Sequence, residues 1–369
     1  MLKNIRVENF KNFENNIELD LGNVKKYEFN DHLVKNGIIN DLVIFGKNGA
    51  GKSNLCFAIM NLVNNLTDNN KTDDNIKPLV NLNSGKEYAS FYYEFIFEHH
   101  QLEYSYRKNN TLDLLEEELK IDHKTYVYYD YKHDNGFSKL KGSEALKKPV
   151  QIEDCRSYVK IVSGYALLED DEINDVFNKF IDYVKKMLMF YSLQGNGYFG
   201  YKFGTEKIMD KIVRSKKVKD FEEFLNDIGI KCKLVSEEKN DEYIINVVYK
   251  HGAPADFFRV ASTGTKSLAL FYYWLIQAKD ASMIIMDEFD AYYHFELSEL
   301  IVKKVIKEVH GQVIFTSHNT GLMDNDLFRP DCLFVLSQNG VKPLCDLTEK
   351  ELRISHNLQK MYKAGAFDE

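Results

Sequence analysis

The chain carries the stretch Gly46-Lys47-Asn48-Gly49-Ala50-Gly51-Lys52-Ser53 between an apolar run and a periodic one. The apolar run is Leu42-Val43-Ile44-Phe45, which predicts a buried strand, and residues 54–63 repeat their apolar side chains at helical spacing. A glycine-rich turn in this context lets backbone N–H groups converge on phosphate oxygens, and the helix N-terminus adds the positive end of its dipole. The G-x-x-x-x-G-K-S pattern therefore predicts a phosphate-binding loop.

Each side chain of this loop has an expected role. Lys52 is predicted to reach the β- and γ-phosphates of a nucleotide, and the Ser53 hydroxyl to bind Mg²⁺. ATP and Mg²⁺ are thus the expected ligands. The residues predicted to contact the nucleotide here are Gly46, Asn48, Gly49, Ala50, Gly51, Lys52, Ser53 and Asn54.

Composition sets outer limits on the protein class. The 369 residues are 44% hydrophobic, which is enough for one large domain or two modest ones. The five cysteines form no CxxC pair and no histidines cluster with them, so we expect reduced thiols in a cytoplasmic protein rather than disulfides or a zinc site. The net charge of −8 argues against a generally basic nucleic-acid coat. The longest apolar run, 268–276, is too short to span a bilayer, so no membrane association is expected.

A second apolar run, 283–286, ends in two carboxylates. Asp287 is predicted to hold the Mg²⁺ water shell, and Glu288 to polarise the attacking water. The alternative is a strand that ends in two acidic residues without a functional role. The presence of a phosphate-binding loop in the same chain makes that alternative weaker.

A third apolar run, 312–315, is followed by Thr316-Ser317-His318-Asn319. The C-terminal ends of strands are where open α/β sheets place their ligands, so His318 is predicted to hydrogen-bond a γ-phosphate. Lys52, Glu288 and His318 are the expected catalytic residues.

The stretch Ser262-Thr263-Gly264-Thr265-Lys266-Ser267-Leu268 opens a strongly apolar helix. Ser262 and Gly264 can form a further anion site from a hydroxyl and backbone N–H groups. An ordinary helix N-cap is the alternative interpretation.

The remaining segments indicate the domain organisation. Tyrosine-rich alternating runs over 88–132 predict an antiparallel meander, whose tyrosines are interpreted as a half-exposed surface rather than base-stacking platforms. Residues 133–166 look irregular, and helices are expected over 171–193 and 206–226. A basic cluster in the second helix fits a solvated face, with nucleic-acid contact as the alternative. We predict an N-terminal ATPase lobe (1–132), a mostly helical insertion (133–254) and a C-terminal ATPase lobe (255–369).

Taken together, the ordered motifs resemble the ABC-type ATPase heads of the SMC/Rad50/RecF style. The 262–268 stretch resembles their signature, 287–294 their Walker B and D-loop, 316–319 their switch histidine, and 5–13 their first strand and turn. Lys11 and Asn12 are nucleotide neighbours by position in that turn. The expected fold is a P-loop NTPase of class α/β, a mixed sheet flanked by helices with an antiparallel meander and a helical insertion.

Within this group the S-x-G-T-K form of the signature is most similar to the AAA15 family of bacterial ATPases, related to RloA and OLD-type proteins. That resemblance implies a homodimer, head to tail around two ATPs, with Ser262 and Gly264 reaching the partner's nucleotide. It also implies a sensor or scaffold role in anti-phage defence beside a separate effector protein. The alternatives are a RecF-type DNA repair ATPase, which leaves nucleic acid open as a partner, and a transporter's ATP-binding subunit. Three residues depart from the usual pattern of these heads: Thr263 and Thr265 in the signature and His294 in the D-loop. The roles that the family's signature and D-loop imply are therefore less firmly transferred to this chain.

Overall fold

The computed structural model describes residues 1–67, 78–146, 157–191, 197–200, 212–239, 242–291 and 295–368. The strands of these residues are β1 (Leu2–Glu8), β2 (Ile17–Asp20), β3 (Val34–Lys35), β4 (Ile38–Ile39), β5 (Asp41–Phe45), β6 (Tyr88–Phe97), β7 (His100–Asn109), β8 (Leu114–Ile121), β9 (Lys124–Asp130), β10 (Asn135–Ser138), β11 (Met187–Tyr191), β12 (Gly197–Gly200), β13 (Leu234–Lys239), β14 (Glu242–Val247), β15 (Ala255–Asp256), β16 (Met283–Asp287), β17 (Gln312–Thr316), β18 (Leu333–Ser337) and β19 (Gly340–Pro343). The helices are α1 (Lys52–Leu66), α2 (Tyr158–Tyr165), α3 (Glu172–Lys185), α4 (Val218–Asp227), α5 (Phe257–Val260), α6 (Thr263–Gln277), α7 (Phe295–Glu308) and α8 (Leu358–Lys363).

Two seven-stranded sheets organise the described residues. The meander sheet has the order β10-β9-β8-β7-β6-β1-β2 and is antiparallel throughout. The central sheet has the order β12-β11-β16-β17-β5-β18-β19, with five parallel strands and an antiparallel strand at each edge. The predicted α/β class, with a mixed sheet flanked by helices and an antiparallel meander, is confirmed.

The order of the central sheet determines what meets at its edge. β17 lies between β16 and β5, and all three run parallel. Parallel strands have their carboxyl ends at one edge, so the residues that follow β5, β16 and β17 come together there. These are the three runs that the sequence predicted to end in functional residues.

Helix α1 is buried on nearly all sides because it packs against both large sheets. Twelve of its fifteen residues are buried. Its two buried asparagines are satisfied by the meander sheet: Tyr106 donates its hydroxyl to Asn61 Oδ1 over 2.9 Å, and Asn65 Nδ2 donates to Tyr104 Oη over 2.5 Å. A helix that is apolar all round needs such two-sided cover.

Four tyrosines of the meander sheet form core, whereas the others, such as Tyr92 and Tyr128, are half-buried. Tyr93, Tyr104, Tyr106 and Tyr129 are at most 2% exposed, and Tyr93 lies stacked at 5.9 Å from Tyr106, centroid to centroid. Tyr93 also donates its hydroxyl to the Ala58 carbonyl over 2.7 Å. The interpretation of a half-exposed sheet was wrong for these four rings, and stacking on nucleic-acid bases is excluded for them as well.

The two sheets are also joined directly through Gln312, at the start of β17. Its side-chain amide donates to the Leu2 carbonyl over 2.8 Å, and its Oε1 accepts the Leu2 N–H over 2.7 Å and the Tyr183 hydroxyl over 2.6 Å. A buried amide with all its groups paired holds neighbouring elements in one register.

The segment over residues 133–254 differs from the prediction. The helix expected over 171–193 ends at Lys185, and Met187–Tyr191 form β11, which pairs in parallel with β16. A strand that is buried on both faces reads as a continuous apolar run, so its sequence resembles a buried helix. The described part of 133–254 therefore holds strands as well as helices and is not mostly helical. The division at 132 and 254 stays a prediction.

Other expectations in this segment are met in part. Residues 158–165, which looked irregular, form α2. Of the helix expected over 206–226, residues 212–214 are helical and α4 covers Val218–Asp227, with a break at 215–217. Lys207 and Lys211 of the basic cluster lie outside the described residues. Among the helices that the structure describes, none has both the length and the apolar character needed to cross a membrane.

Candidate functional site

The predicted phosphate-binding loop connects the end of β5 to the start of α1. Gly49 and Gly51 have φ values of 77° and 109°, a left-handed conformation that side chains rarely adopt. At Gly51 a Cβ atom would also lie 2.6 Å from Asn12 Nδ2 and 2.7 Å from Phe13 Cε1. Glycine is therefore required at position 51 for two independent reasons.

Lys52, the first residue of α1, points its ammonium group into the edge of the central sheet. The side chain is 4% exposed, and Nζ lies 3.2 Å from the Gly46 carbonyl oxygen, 2.7 Å from His318 Nε2 and 3.9 Å from Glu288 Oε1. Burial lowers the pKa of Lys52, against the opposing effect of the nearby carboxylates. A buried ammonium group in this position is suited to receive phosphate oxygens.

Asp287 ends β16 and is buried beside α1. Its Oδ1 accepts the Thr316 hydroxyl over 2.6 Å, and its carboxylate also accepts the hydroxyl of Ser53. Burial raises the pKa of Asp287, and the hydrogen bonds from Ser53 and Thr316 oppose that rise. Mg²⁺ prefers oxygen ligands such as hydroxyl and carboxylate groups, so Ser53 and Asp287 fit the predicted metal ion.

Glu288 follows in a left-handed conformation, with φ 47°. Its backbone N–H donates to Thr316 Oγ1 over 2.8 Å, and its Oε1 lies 3.3 Å from His318 Nε2. The structure thus brings Lys52, Glu288 and His318 within hydrogen-bond or ion-pair range of one another.

Contacts between the loops after β16 and β17 fix these side chains. Ser317 donates its hydroxyl to Asp290, and the Asn319 N–H donates to Ser317 Oγ over 2.8 Å. Burial raises the pKa of Asp290, and the bond from Ser317 opposes this rise. The loop that carries Glu288 is therefore tied to the loop that carries His318.

The turn after β1 contacts the phosphate-binding loop through Asn12. Asn12 Nδ2 donates to the Ala50 carbonyl over 3.0 Å, and Asn54 Nδ2 donates to Asn12 Oδ1 over 2.6 Å. Lys11 lies nearby with its ammonium group 5.8 Å from the ring centroid of Phe57, and burial lowers its pKa. Asn12 therefore contacts the phosphate-binding loop directly. Lys11 is also held by its backbone, whose N–H donates to the Leu79 carbonyl over 2.9 Å and whose carbonyl accepts Asn81 Nδ2 over 2.7 Å.

A cavity of about 910 Å³ opens beside the loop. Gly46, Asn48, Gly49 and Ala50 form part of its wall, and the other sides come from the β1 turn, the β18–β19 hairpin and the C-terminal segment. The lining includes the side chains of Phe13, Asn339, Tyr362, Phe367 and Asp368. Aromatic and polar groups in one concave site suit a nucleoside.

The C-terminal segment reaches this cavity because it packs on its own domain. Leu358 is buried, and Gln359 Nε2 donates to Thr320 Oγ1 over 3.3 Å, just beyond His318. The sequence left two roles open for this amphipathic tail, docking onto a partner or covering its own domain. In the structure it covers its own domain.

Ser262 and Gly264 stand apart from these residues. Ser262 caps α6, accepting the Thr265 N–H at Oγ over 3.2 Å, and its hydroxyl lies 2.9 Å from Thr265 Oγ1. In the part of the chain that the structure describes, no hydrogen bond or ion pair joins Ser262 or Gly264 to the phosphate-binding loop. The N-cap interpretation is met, and a role toward a partner's nucleotide remains a prediction. His294 of the expected D-loop lies outside the described residues.

Sequence reasoning missed the residues that position the carboxylates. Thr316, Ser317 and Asp290 were visible next to the motifs, but their pairing crosses from the end of one strand to the end of another. Cys56, with its Sγ 4.0 Å from Asp287 Oδ1, was treated only as a reduced thiol. The available signal was a hydroxyl residue at the end of β17, beside a strand that ends in carboxylates.

Comparison with solved structures gives distant similarities. The chain is 15% identical to the SMC head domain from Thermotoga maritima, with 93% of this chain and 98% of that chain covered and a TM-score of 0.45. The chain is 14% identical to the Smc head domain with an extended coiled coil bound to the C-terminal domain of ScpA, derived from Pyrococcus furiosus. The match covers 92% of this chain and 95% of that chain, with a TM-score of 0.44. The chain is 13% identical to the recombination mediator protein RecF-ATPrS in the RecFOR pathway. That match covers 93% of this chain and 98% of that chain, with a TM-score of 0.42. At these identities and TM-scores the similarities carry no functional inference.

No curated protein sequence matches the chain. A family model does match, over residues 42–324, from the strand before the phosphate-binding loop to just past His318. It covers all the strand-end residues described above, and the chain belongs to the family described as "AAA domain, putative AbiEii toxin, Type IV TA system".

Proposed function

We propose that this protein binds ATP with Mg²⁺ and hydrolyses it. The observation that supports the proposal best is the meeting of Lys52, Glu288 and His318 at one edge of the central sheet, with pairwise distances of 2.7, 3.3 and 3.9 Å. Lys52 begins α1, and Glu288 and His318 follow β16 and β17, so polar groups from three separate segments converge at one place. Membership of an AAA domain family is consistent with nucleotide use.

Each residue has a task in this proposal. Lys52 and the backbone N–H groups of the loop hold the phosphate oxygens, and Ser53 and Asp287 would hold Mg²⁺. The metal ion supplies neutralisation of the phosphate charge. Phe13, Tyr362 and the polar groups of the 910 Å³ cavity receive the base and ribose. Glu288 orients the attacking water and accepts its proton.

His318 has two partners that it cannot satisfy at once. An ammonium group only donates, so the 2.7 Å contact with Lys52 requires His318 Nε2 to accept. A hydrogen bond from Nε2 to Glu288, now 3.3 Å away, requires the same nitrogen to carry a proton. When Lys52 turns to a phosphate, Nε2 is released to donate to the phosphate or to Glu288. His318 therefore acts as the residue that registers a bound γ-phosphate.

The finer assignment rests on the motif resemblance. We infer an ABC-type head of the AAA15, RloA and OLD-related group that closes head to tail around two ATPs. Its role would be a sensor or scaffold in anti-phage defence that controls a separate effector, a nuclease in the leading hypothesis. A RecF-type repair ATPase differs from it in a direct way, because DNA would then stimulate hydrolysis by the isolated protein.

The Glu288→Gln variant tests this function. We expect ATP hydrolysis to fall by about 10²- to 10⁴-fold, because the amide cannot accept the proton of the attacking water, while binding of a fluorescent ATP analogue is retained. Lys52→Ala should lose binding as well. Glu238→Gln, an exposed residue of β13, is the matched control and should hydrolyse at the wild-type rate.

The same variant tests dimerisation. With hydrolysis blocked, light scattering at saturating ATP should show a trapped dimer. A monomer at micromolar protein concentration would count against the head-to-tail arrangement and leave ATP binding standing. Hydrolysis by Glu288→Gln at the wild-type rate would remove Glu288 from the catalytic role.

A further inference from the structure

Two histidines and a glutamate meet on the meander sheet, away from the edge of the central sheet. His99 lies in the turn between β6 and β7, His100 is the first residue of β7, and Glu172 is the first residue of α3. His99 Nε2 is 3.4 Å from Glu172 Oε1, and His100 Nε2 is 3.1 Å from the same oxygen. Within the described ranges, this is the one group of three or more His, Cys, Asp or Glu side chains whose ligand atoms all lie within 4.8 Å of one another.

We propose that His99, His100 and Glu172 bind a divalent transition metal ion, Zn²⁺ being the best match. Two imidazole nitrogens and a carboxylate oxygen form a common protein ligand set for zinc, with water in the fourth position. Zinc–ligand distances of about 2.0–2.1 Å place tetrahedral ligand atoms about 3.3 Å apart. The two measured N···O distances, 3.1 and 3.4 Å, bracket that separation.

The neighbourhood of His100 supports a ligand role. Its Nδ1 lies 2.7 Å from Asp122 Oδ2, and Asp122 Oδ1 accepts the Gln101 N–H over 3.1 Å. A carboxylate that holds the Nδ1 proton leaves the Nε2 lone pair free for a metal, and such carboxylates accompany most histidine ligands. His100 is itself 8% exposed, so the ring is held in place by its surroundings.

A salt bridge without metal is the competing explanation. A protonated His100 between Asp122 and Glu172 accounts for the contacts at 2.7 and 3.1 Å. His99 can join this salt bridge through its Nε2, 3.4 Å from the same oxygen of Glu172, and its ring centroid lies 4.1 Å from that of His100. Only the metal explanation requires both Nε2 atoms to converge on one oxygen. Both His99 and Glu172 are about 70% exposed, at 72% and 69%, so neither is driven there by burial.

A metal ion at this place would join two elements that are far apart in sequence. It would fix the turn of the β6–β7 hairpin to the N-terminus of α3, and α3 packs against α1, the helix that begins at Lys52. Nearby, Lys179 Nζ already bridges Glu98 Oε1 at 2.6 Å and Asp175 Oδ2 at 2.7 Å, which links the same hairpin and helix. The metal site would therefore stiffen the support of the phosphate-binding helix.

The test uses the full chain after chelator treatment, without nucleotide. Titration with Co²⁺ followed by visible absorption, and with Zn²⁺ followed by calorimetry, should give one ion per chain and a rise in melting temperature. His99→Ala and Glu172→Gln should each abolish this binding, and both side chains are exposed enough for the variants to fold. Asp122→Asn should keep the stoichiometry and weaken affinity by about 10- to 100-fold.

Two controls separate this site from other binding. His123→Ala removes an exposed histidine of the neighbouring turn, 2.9 Å from Glu103, and should bind as the wild type does. Asp287→Asn removes the expected Mg²⁺ ligand and should also leave the ion in place. Wild-type protein that binds no Co²⁺ or Zn²⁺, or a His99→Ala variant that binds both as tightly as wild type, would overturn the proposal in favour of the salt bridge.

Discussion

Thr316 uses one hydroxyl group to hold the carboxylate of Asp287 and the backbone of Glu288. It donates to Asp287 Oδ1 over 2.6 Å and accepts the Glu288 N–H over 2.8 Å. The second bond also supports the left-handed backbone of Glu288, which an unassisted glutamate rarely adopts. Thr316 is fully buried. It can therefore affect ATP hydrolysis through Asp287 and Glu288, without contacting the nucleotide.

We predict that Thr316→Val lowers kcat for ATP hydrolysis by about 10- to 100-fold, with KM changed by less than about threefold. Valine keeps the volume but leaves the Glu288 N–H and an Asp287 oxygen without their partner, a cost of about 1–3 kcal/mol each. Steady-state kinetics measure the effect, and Thr316→Ser is the matched control that should restore most of kcat. Equal loss in the serine and valine variants would point to packing instead.

At the element scale, the two ends of β5 have different effects. One end leads to the candidate site, and the other carries a buried carboxylate that affects stability. Its last residue leads into the phosphate-binding loop, while Asp41 begins it and is 2% exposed. Asn40 Nδ2 donates to Asp41 Oδ2 over 2.9 Å, but Asp41 Oδ1 has no hydrogen-bond partner. Burial raises the pKa of Asp41 to about 7, against the opposing bond from Asn40.

This raised pKa sets the sign of a pH effect. The folded protein favours protonated Asp41, so the stability linked to that proton is complete below about pH 4 and is lost as the pH rises through about 7. We predict that Asp41→Asn raises the free energy of unfolding by about 2–4 kcal/mol at pH 8 and by much less at pH 5. Denaturant titrations at the two pH values measure this.

The exposed residue Asp280, changed to Asn, is the matched control for that pH effect and should alter stability little at either pH. A gain for Asp41→Asn that is the same at pH 5 and pH 8 would contradict the buried-carboxylate explanation.

Helix α1 and strand β11 show two different limits of reading elements from sequence. The apolar periodicity of α1 predicted a helix correctly, and its buried asparagines made sense only when the tyrosine hydroxyls of the meander sheet were found beside them. β11 was predicted as the end of a helix, because a short apolar run is compatible with both structures. Pairing with β16 decided between them.

For the whole molecule, the separation of Ser262 from the phosphate-binding loop matters most. If two chains close head to tail, the site is completed by the partner's α6 N-terminus, and the twofold arrangement makes two equal sites. Ser262 is exposed in the single chain, as this arrangement needs. Its capping of α6 means that a variant must keep the cap to be informative.

We predict complementation between two inactive variants. Ser262→Asp keeps a good N-cap but repels the partner's γ-phosphate, whereas Lys52→Ala has an intact signature and no working loop. A mixed dimer of the two holds one complete site, so mixing should restore up to about a quarter of the wild-type ATPase rate for random pairing.

Ser262→Asn is the matched control for this experiment, since it keeps the cap without the charge and should retain more activity alone than Ser262→Asp. ATPase activity that stays at background in every mixture would contradict a site shared between chains.

Much of the site was predictable because its residues belong to short local sequence patterns. The loop glycines, Lys52 and Ser53 lie within eight consecutive residues, and each strand that ends in a functional residue is a continuous apolar run. These patterns reflect backbone conformation and burial, which depend mainly on neighbouring residues. They predicted the α/β class, the loop, and the candidate residues Asp287, Glu288 and His318.

The tertiary structure alone decided which of these residues meet. The order β16-β17-β5 brings Lys52, Glu288 and His318 together and makes Thr316 the residue that positions two carboxylates. It also buried four tyrosines of the meander sheet in the core and placed Glu172 beside His99 and His100. Contacts between residues that are 29 to 266 positions apart depend on sheet order and packing, and no local pattern of one sequence encodes that order. The phosphate-binding loop is thus determined by its own residues, whereas the site around it is determined by the fold.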